Sequence, residues 1–388
     1  MALQFLQLGD AHLGAALTGL PTPVADALRL ASRQAVTDAF AEVSRRKLQL
    51  VLLPGDLFEQ DGVDPASQLR FIYELADGVA PVPVVIAPGN HDSYHQQSAY
   101  FTEKPPRNVI LFTSPALTAV ETSAGSIVAR AVQSGEGSSA LNWSQLPAPA
   151  APRLLVLHAA LLQAADDRRH RDAIVPVTVD ALRRSGFAYT ALGHYHRYQS
   201  FSRDEKSNGG GPALAAYSGC PQGLGFDEPG PKGYLLGKLD DNGAQLEFIP
   251  SARHSFVRHK LVLPPEYARD MLGRLENLLE DAKAATGPEG VLDLEISGRW
   301  PLARRDELLV RVDRLRDALF YCRPLEWNRV EFSPPLVPRG QSAVLDEFLE
   351  RCDLHISTGG PDTAAWQLAQ YLGHRLLSGH GLPGEVAG

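Results

Sequence analysis

The chain has 388 residues, 44% of them hydrophobic and 21% charged, and a formal net charge of −8. This is ordinary globular usage, which predicts two or three domains and excludes collagen-like, coiled-coil and wholly disordered architectures. The acidic surplus is spread evenly, with 20 Lys/Arg against 25 Asp/Glu up to Pro250 and 17 against 20 beyond it. A basic footprint for nucleic acid is therefore missing, and any polyanion has to be held by local arginines or by bound cations.

In chain order, Leu3–Leu8 is a short apolar strand ending in Gly9-Asp10, and Val24–Lys47 has helical spacing through Leu28, Ala31, Ala35, Ala39 and Val43. Leu48–Leu53 reads as a buried strand ending at Pro54-Gly55-Asp56, Pro65–Ala76 as a helix, and Val82–Ala87 as a strand ending at Pro88-Gly89-Asn90. This βαβαβ order predicts a parallel-type sheet covered by helices. Further strands are expected at Val109–Phe112, Leu117–Glu121, Ile127–Val132, Leu154–His158 and Ala188–Leu192, with a short helix over Val179–Ser185. Ser134–Pro152 reads as a loop and Arg203–Pro212 as a flexible turn. Tyr234–Leu239 and Gln245–Ile249, separated by a segment with Asn242-Gly243, predict a β-hairpin.

Beyond about residue 252 the pattern becomes a smaller α+β region: a strand over Phe256–Leu263, a helix from Pro264 to Ala285, and a half-exposed strand through Leu292, Leu294 and Ile296. An amphipathic helix over Leu302–Phe320 and a strand over Trp327–Phe332 complete it. Two helices, Ala343–Cys352 and Thr363–Leu377, close the chain. The expected domains are thus 1–252, 253–340 and a helical segment 341–388. No apolar run approaches the ~18–20 residues of a membrane span, and the first ten residues carry no cationic region of a signal peptide. Three widely spaced cysteines, Cys220, Cys322 and Cys352, argue against a disulfide framework and fit a cytoplasmic location.

Five polar blocks follow the apolar strands: Asp10-x-His12, Gly55-Asp56, Gly89-Asn90-His91-Asp92, His158, and Gly193-His194-x-His196. Strand carboxyl ends in an α/β sheet open on one crevice, so these loops should converge. Carboxylates, an amide and imidazoles gathered without thiolate suit Mn²⁺, Fe²⁺ or Zn²⁺. There are enough ligands for two ions with Asp56 as the bridge, spaced ~3.5–4 Å to clamp a phosphoryl displacement.

In this order and spacing the blocks resemble the calcineurin-like metallophosphoesterase superfamily, over roughly residues 1–250. The resemblance implies a four-layer α/β/β/α sandwich of two mixed sheets. It implies a first ion held by Asp10, His12 and His196, a second by Asn90, His158 and His194, and Asp56 between them. His91 matches the family's general acid and Asp92 the residue that orients it. Within the superfamily the chain is similar to SbcD-type DNA repair exonucleases, and most to their YhaO-type branch. The narrower likeness rests on Gly55-Asp56-Leu57-Phe58, on Tyr217-Ser218-Gly219-Cys220-Pro221-Gln222-Gly223 with the later Lys232-Gly233, and on an α+β capping region after residue 252. Glu59 stands where that motif often has Asp. The resemblance implies Mn²⁺-dependent 3′-to-5′ exonuclease action on DNA, with single-strand endonuclease activity as a further expectation. Partners implied are an SbcC-like coiled-coil ATPase and a second copy of the chain.

Two other classes stay open: a small-molecule or nucleotide phosphodiesterase on the same catalytic domain, and a silent adaptor for the ATPase. His95, His170, His254, His259, His355, His374 and His380 read as ordinary core or surface histidines. The arginines from Arg304 to Arg316 read as a solvated helix face, as does the mixed-charge run Asp166–Asp172 as a loop. The terminal helices have two readings, packing onto the body or docking the ATPase through an amphipathic stripe of Leu345, Phe348, Leu349 and Cys352.

Overall fold

A computed structural model of the chain describes residues 2–134, 141, 153–162, 174–204, 211–228, 230–265, 270–333, 342–358 and 362–377. Most of the expected loop Ser134–Pro152, all of Asp166–Asp172 and most of the Arg203–Pro212 turn lie outside the described residues. The chain divides into two compact units, Met1–Ser255 and Phe256–Gly388.

In the first unit β1 (Leu3–Gln7), α1 (Thr22–Arg45), β2 (Leu50–Leu53), α2 (Pro65–Gly78), β3 (Val84–Ile86), α3 (Ala99–Thr102) and β4 (Val109–Leu111) realise the expected alternation. β5 (Thr118–Thr122), β6 (Gly125–Ala129), β7 (Arg153–His158), the short pair β8 (Leu161–Leu162) and β9 (Val177–Thr178), α4 (Val179–Arg184) and β10 (Tyr189–Gly193) follow. β11 (Gln199–Ser202), β12 (Ala213–Tyr217), β13 (Gly233–Asp240) and β14 (Gly243–Pro250) end the unit. β1 to β4 pair in parallel, and so do β6, β7, β10 and β12. The β13–β14 hairpin joins the two sets antiparallel, through β1 on one side and through β12 on the other.

Alternation along these strands decides the layers. Phe5, Leu50, Leu52 and Val85 point into one core with Ile127, Leu154, Val156 and Tyr189 from the opposite set. Their neighbours Leu6, Val51, Leu53 and Ile86 face Val36 and Phe40 of α1 and Leu69 and Ile72 of α2. On the far side Leu155, Leu157, Leu192 and Leu214 pack with Leu182 of α4. Strands covered on both faces need continuous apolar sequence, which is how they read.

The order α/β/β/α holds, with one correction. The two β layers are halves of a single twelve-stranded sheet that curls over its inner core, continuous through one register pair, Ala213 with Ala244. β12, which makes that join, was not among the expected strands. Three of its five residues are alanine, a poor strand former, and burial between its neighbours overrides the local preference.

The second unit contains β15 (Phe256–Val262), α5 (Met271–Thr286), β16 (Val291–Pro301), α6 (Arg305–Asp317), β17 (Tyr321–Cys322), β18 (Val330–Ser333), α7 (Ala343–Ser357) and α8 (Thr363–Leu377). β16 pairs in parallel with β15, β17 and β18. Leu275 and Leu279 of α5 and Leu308 and Val312 of α6 pack on Leu292, Leu294, Ile296 and Trp300 of β16. α5 starts at Met271, where Asp270 caps it by accepting from Gly273 N at 3.1 Å; residues 266–269 of the helix expected from Pro264 lie outside the described residues. α7 lies against α8, where His355 stacks on Trp366 with ring centroids 4.0 Å apart and Gln370 donates to Asp353. Among the described residues no helix is long and apolar enough to cross a membrane.

Candidate metal centre

Each block stands just after the carboxyl end of its strand: Asp10 and His12 after β1, Asp56 after β2, Asn90–Asp92 after β3, His158 closing β7, and His194 and His196 after β10. The two parallel sets bring these ends together. The turns are tight: a Cβ on Gly89 would stand 2.2 Å from Asp56 Oδ1, and one on Gly193 would stand 2.0 Å from Pro54 O. Asp10, His12, Asp56 and His194 all take positive φ, at 52°, 43°, 51° and 116°. Such conformations cost non-glycine residues about 1–3 kcal/mol each and gather where a site over-determines them.

Asp10, His12, Asp56 and His158 are buried. Asp10 Oδ1 accepts from His194 N at 2.8 Å, while its Oδ2 has no hydrogen-bond partner. Asp56 Oδ1 accepts from His91 N at 2.8 Å, and its Oδ2 lies 3.3 Å from His158 Nε2 and 3.8 Å from His12 Nε2. His158 Nδ1 donates to Pro54 O at 3.0 Å, which turns its Nε2 toward Asn90 Oδ1 at 2.9 Å. His12 Nδ1 donates to Glu59 Oε1 at 2.6 Å, and His196 Nδ1 donates to Glu228 Oε1. The Nε2 atoms of His12 and His196 then face each other at 3.0 Å.

That last contact decides what the site is for. A carboxylate only accepts, so both Nδ1 atoms carry their protons, and in the neutral rings two Nε2 lone pairs point at one spot. With the unpartnered Asp10 Oδ2 beside them, these donors suit a cation bound by oxygen and imidazole nitrogen. Ligand atoms of Asp10, His12 and His196 lie within 4.8 Å of one another, as do those of Asp10, Asp56 and His158. His194 enters through its backbone and through its ring, 5.3 Å from that of His158, rather than as a member of these groupings.

Without a cation the electrostatics are strained. Burial pushes the Asp10 carboxyl up despite nearby imidazoles. Burial acts likewise on Asp56, but His158, His12 and His91 outweigh it and hold that carboxyl below its usual range. Burial drives His194 down to about 4. His91 moves the other way, to about 9, because its ring bonds to Glu59. Glu59 itself is held at about 2, its bonds to His12 and His91 outweighing burial.

Asp92 differs from its expected role. Its Oδ1 accepts from Asp56 N and Gly89 N, and its Oδ2 accepts from Leu57 N and Tyr100 Oη, at 2.6–3.0 Å. Four donors use its carboxylate fully, so it clamps the turns after β2 and β3 together. The His91 ring is oriented instead by Glu59 Oε2, 2.9 Å from its Nδ1. Glu59 therefore serves two imidazoles at once. Its place three residues after Asp56 was visible, but the pairing was not.

Glu228 was missed altogether. The only hint was its position between Gln222-Gly223 and Lys232-Gly233 in the narrower resemblance. Bonding to His196 holds Glu228 at about 2 against the effect of burial.

Comparison with known proteins supplies a family. The family model of the calcineurin-like phosphoesterases matches residues 3–198. The uncharacterized metallophosphoesterase YhaO of Bacillus subtilis (strain 168) is 26% identical over 294 residues, covering 72% of this chain and 67% of its own. Among solved structures, TT1561 of Thermus thermophilus aligns at 10% identity with a TM-score of 0.36, over 64% of this chain and 99% of its own. The zinc complex of Vps29 from Entamoeba histolytica aligns at 12% identity with a TM-score of 0.24, again over 64% and 99%. With more than half its length matched by the family, the chain belongs to the calcineurin-like phosphoesterases, metal-dependent hydrolases of phosphoester bonds.

Proposed function

We propose that the chain is a DNA exonuclease working with two Mn²⁺ ions, one on Asp10, His12 and His196, the other on Asn90, His158 and His194, with Asp56 shared. Its expected polarity is 3′ to 5′, with single-strand endonuclease activity in addition, and its setting is double-strand-break repair in the cytoplasm. The observation that carries the reading is His91, whose side chain is 46% exposed while Asp10, His12, Asp56 and His158 beside it are buried. A phosphodiester expels a poor alkoxide leaving group, so an acid at the mouth of the site matters. Glu59 holds His91 Nδ1, which leaves Nε2 to deliver the proton to the departing 3′-oxygen. In the metal-free chain the same contact raises the ring to about 9. Bound divalent ions supply Lewis-acid charge and an activated water. They also offset locally the acidity of a −8 chain.

Specificity for DNA rests on the narrower resemblance. Gln222 of that passage is buried, accepts from Arg253 N and His254 N, and donates to His254 O. It thereby anchors the chain just where it leaves the first unit. The stripe expected to dock the ATPase is taken up within the fold, since Leu345, Leu349 and Cys352 are buried. Any contact of the terminal helices with an SbcC-like ATPase then falls to Val344 and Leu354 of α7 and Leu376 of α8, which are more than half exposed. A homodimer belongs to the same proposal.

The test measures metal content and activity on one preparation with Mn²⁺, using 3′-labelled duplex, single-stranded DNA and bis-p-nitrophenyl phosphate. Release of nucleotides from DNA is expected, and His91→Ala should lower it ~10²–10⁴-fold with metal content unchanged. Hydrolysis of the small ester alone would assign a small-molecule or nucleotide phosphodiesterase. Metal binding without hydrolysis of any substrate would assign an adaptor.

A further inference from the structure

Outside the ligand set lies one buried ion pair that the reaction does not use. Glu228 and Lys232 sit on the connection from β12 to β13, and their side chains are 15% and 4% exposed. Lys232 Nζ lies 3.5 Å from Glu228 Oε2 and donates to His196 O at 2.7 Å. Glu228 Oε1 accepts from His196 Nδ1, while its Oε2 takes the Cys220 thiol at 3.5 Å. Ring and backbone of one histidine are thus both gripped by the two members of one pair.

A buried pair of this kind is weak as a source of stability, since desolvation consumes much of its attraction. Its geometry has a specific consequence instead. By accepting from Nδ1, Glu228 fixes the tautomer and rotation of His196, so that Nε2 faces His12 Nε2. The second metal position is arranged differently: His158 Nδ1 is held by the neutral carbonyl of Pro54. The carboxylate–histidine arrangement is therefore confined to the His12 and His196 side, through Glu59 and Glu228.

We infer that Glu228, steadied by Lys232, is a positioning residue for His196, and that its loss weakens one ion of the pair and spares the other. The inference rests on the two-ion reading above. A generic plug for the loop would instead lower stability, or lower both affinities alike.

The full chain, stripped of metal and titrated with Mn²⁺ alone, is measured by calorimetry and by low-temperature electron paramagnetic resonance. The natural sequence should take up two ions and show an exchange-coupled pair. Glu228→Ala should keep one affinity unchanged, weaken the other ~10–100-fold and lose the coupled signal at stoichiometric metal. Glu228→Gln keeps the volume and an amide oxygen facing Nδ1, so it should fall between. Two wild-type affinities in Glu228→Ala would overturn the inference, as would equal weakening of both ions in folded Glu228→Gln. If Glu228→Ala does not fold, Glu228→Gln decides, and wild-type affinities in it count against the inference. Failure of the natural sequence to bind two coupled ions would instead sink the two-ion reading.

Discussion

Both units of the chain lay parallel strands beside helices, yet only one ends its strands in chemistry. In the first unit the polar side chains lie at or beyond the last strand residue, inside the fold, and Asp10 and Asp56 are almost wholly shielded. In the second the charges lie along the strands, on residues alternating with the core. Arg258 stands opposite Asp293 and Lys260 opposite Glu295, as solvent-exposed pairs at 3.1 and 3.9 Å. Such pairs solvate a sheet face and are worth about 0–1 kcal/mol each. Among the described residues, every grouping of His, Cys, Asp and Glu able to hold a metal lies in the first unit. Backbone strain follows the same division. Four of the site residues have positive φ, whereas Asp270 of the second unit does so as a helix cap bonded to Gly273 N. Charge at strand ends and charge along strands are therefore different signals, and burial without a counter-ion separates them.

The strongest way to break this comparison is Asp56→Asn. Asparagine keeps the shape and an oxygen facing His91 N, but removes the buried charge beside His158 and His12. Phosphodiester hydrolysis should fall about a thousandfold or more, since several kcal/mol of transition-state stabilisation are at stake, and bound Mn²⁺ should fall with it. A variant that hydrolyses bis-p-nitrophenyl phosphate at the original rate with full metal would make Asp56 as structural as Asp293.

The same contrast explains what could be read before the structure. Apolar strand runs and the order of the five blocks were legible because burial on both faces and turns at strand ends leave continuous, local marks. The first α/β repeats and the gathering of Asp10, His12, Asp56, His158 and His196 at the strand ends followed from them. Non-local pairings left no such mark. The join of β12 to β14 depends on one pair of alanines, Ala213 and Ala244, whose residue type predicts no strand. The partners of the imidazoles were equally hidden, because Glu228 is 32 residues from His196 and nothing local distinguishes it from a surface acid. The role given to Asp92 illustrates the limit. Residue type and adjacency suggested that it orients His91, but its carboxylate is filled by the backbone of two turns and by Tyr100.

A smaller effect sharpens the comparison from the other side. Leu275 is fully buried in the α5 core of the second unit. Leu275→Ala should cost about 2–5 kcal/mol in the unfolding of residues 256–388. Mn²⁺ affinity should stay unchanged, because no proposed ligand or ligand partner lies among its described residues. Loss of metal binding in a still-folded variant would show that the second unit contributes to the site.

The finest test uses acid and the metal-free chain, read as the urea midpoint of the first unit against pH. Glu59 and Glu228 are held at about 2, below the usual 4.5, so the stability they contribute is complete above about pH 4.5 and is lost as pH falls through 2. Asp92 has the opposite sign. Burial, then Asp56, raises it from 3.8 to about 6, so its protonated form favours the fold below about pH 4 and that advantage disappears as pH rises through 6. His194, driven down to about 4, opposes Asp92 in that window, because its neutral form favours the fold increasingly as pH rises from 4 to 6.5. Glu228→Gln should roughly halve the acid limb, Glu59 keeping its own share, and leave the window between pH 4 and 6 unchanged. Asp92→Asn should leave the acid limb intact and make stability rise between pH 4 and 6. A midpoint that stays level from pH 2 to 4 would mean that Glu59 and Glu228 titrate like the carboxylates exposed along β16, and the division between buried strand-end charge and solvated mid-strand charge would fail at its most sensitive point.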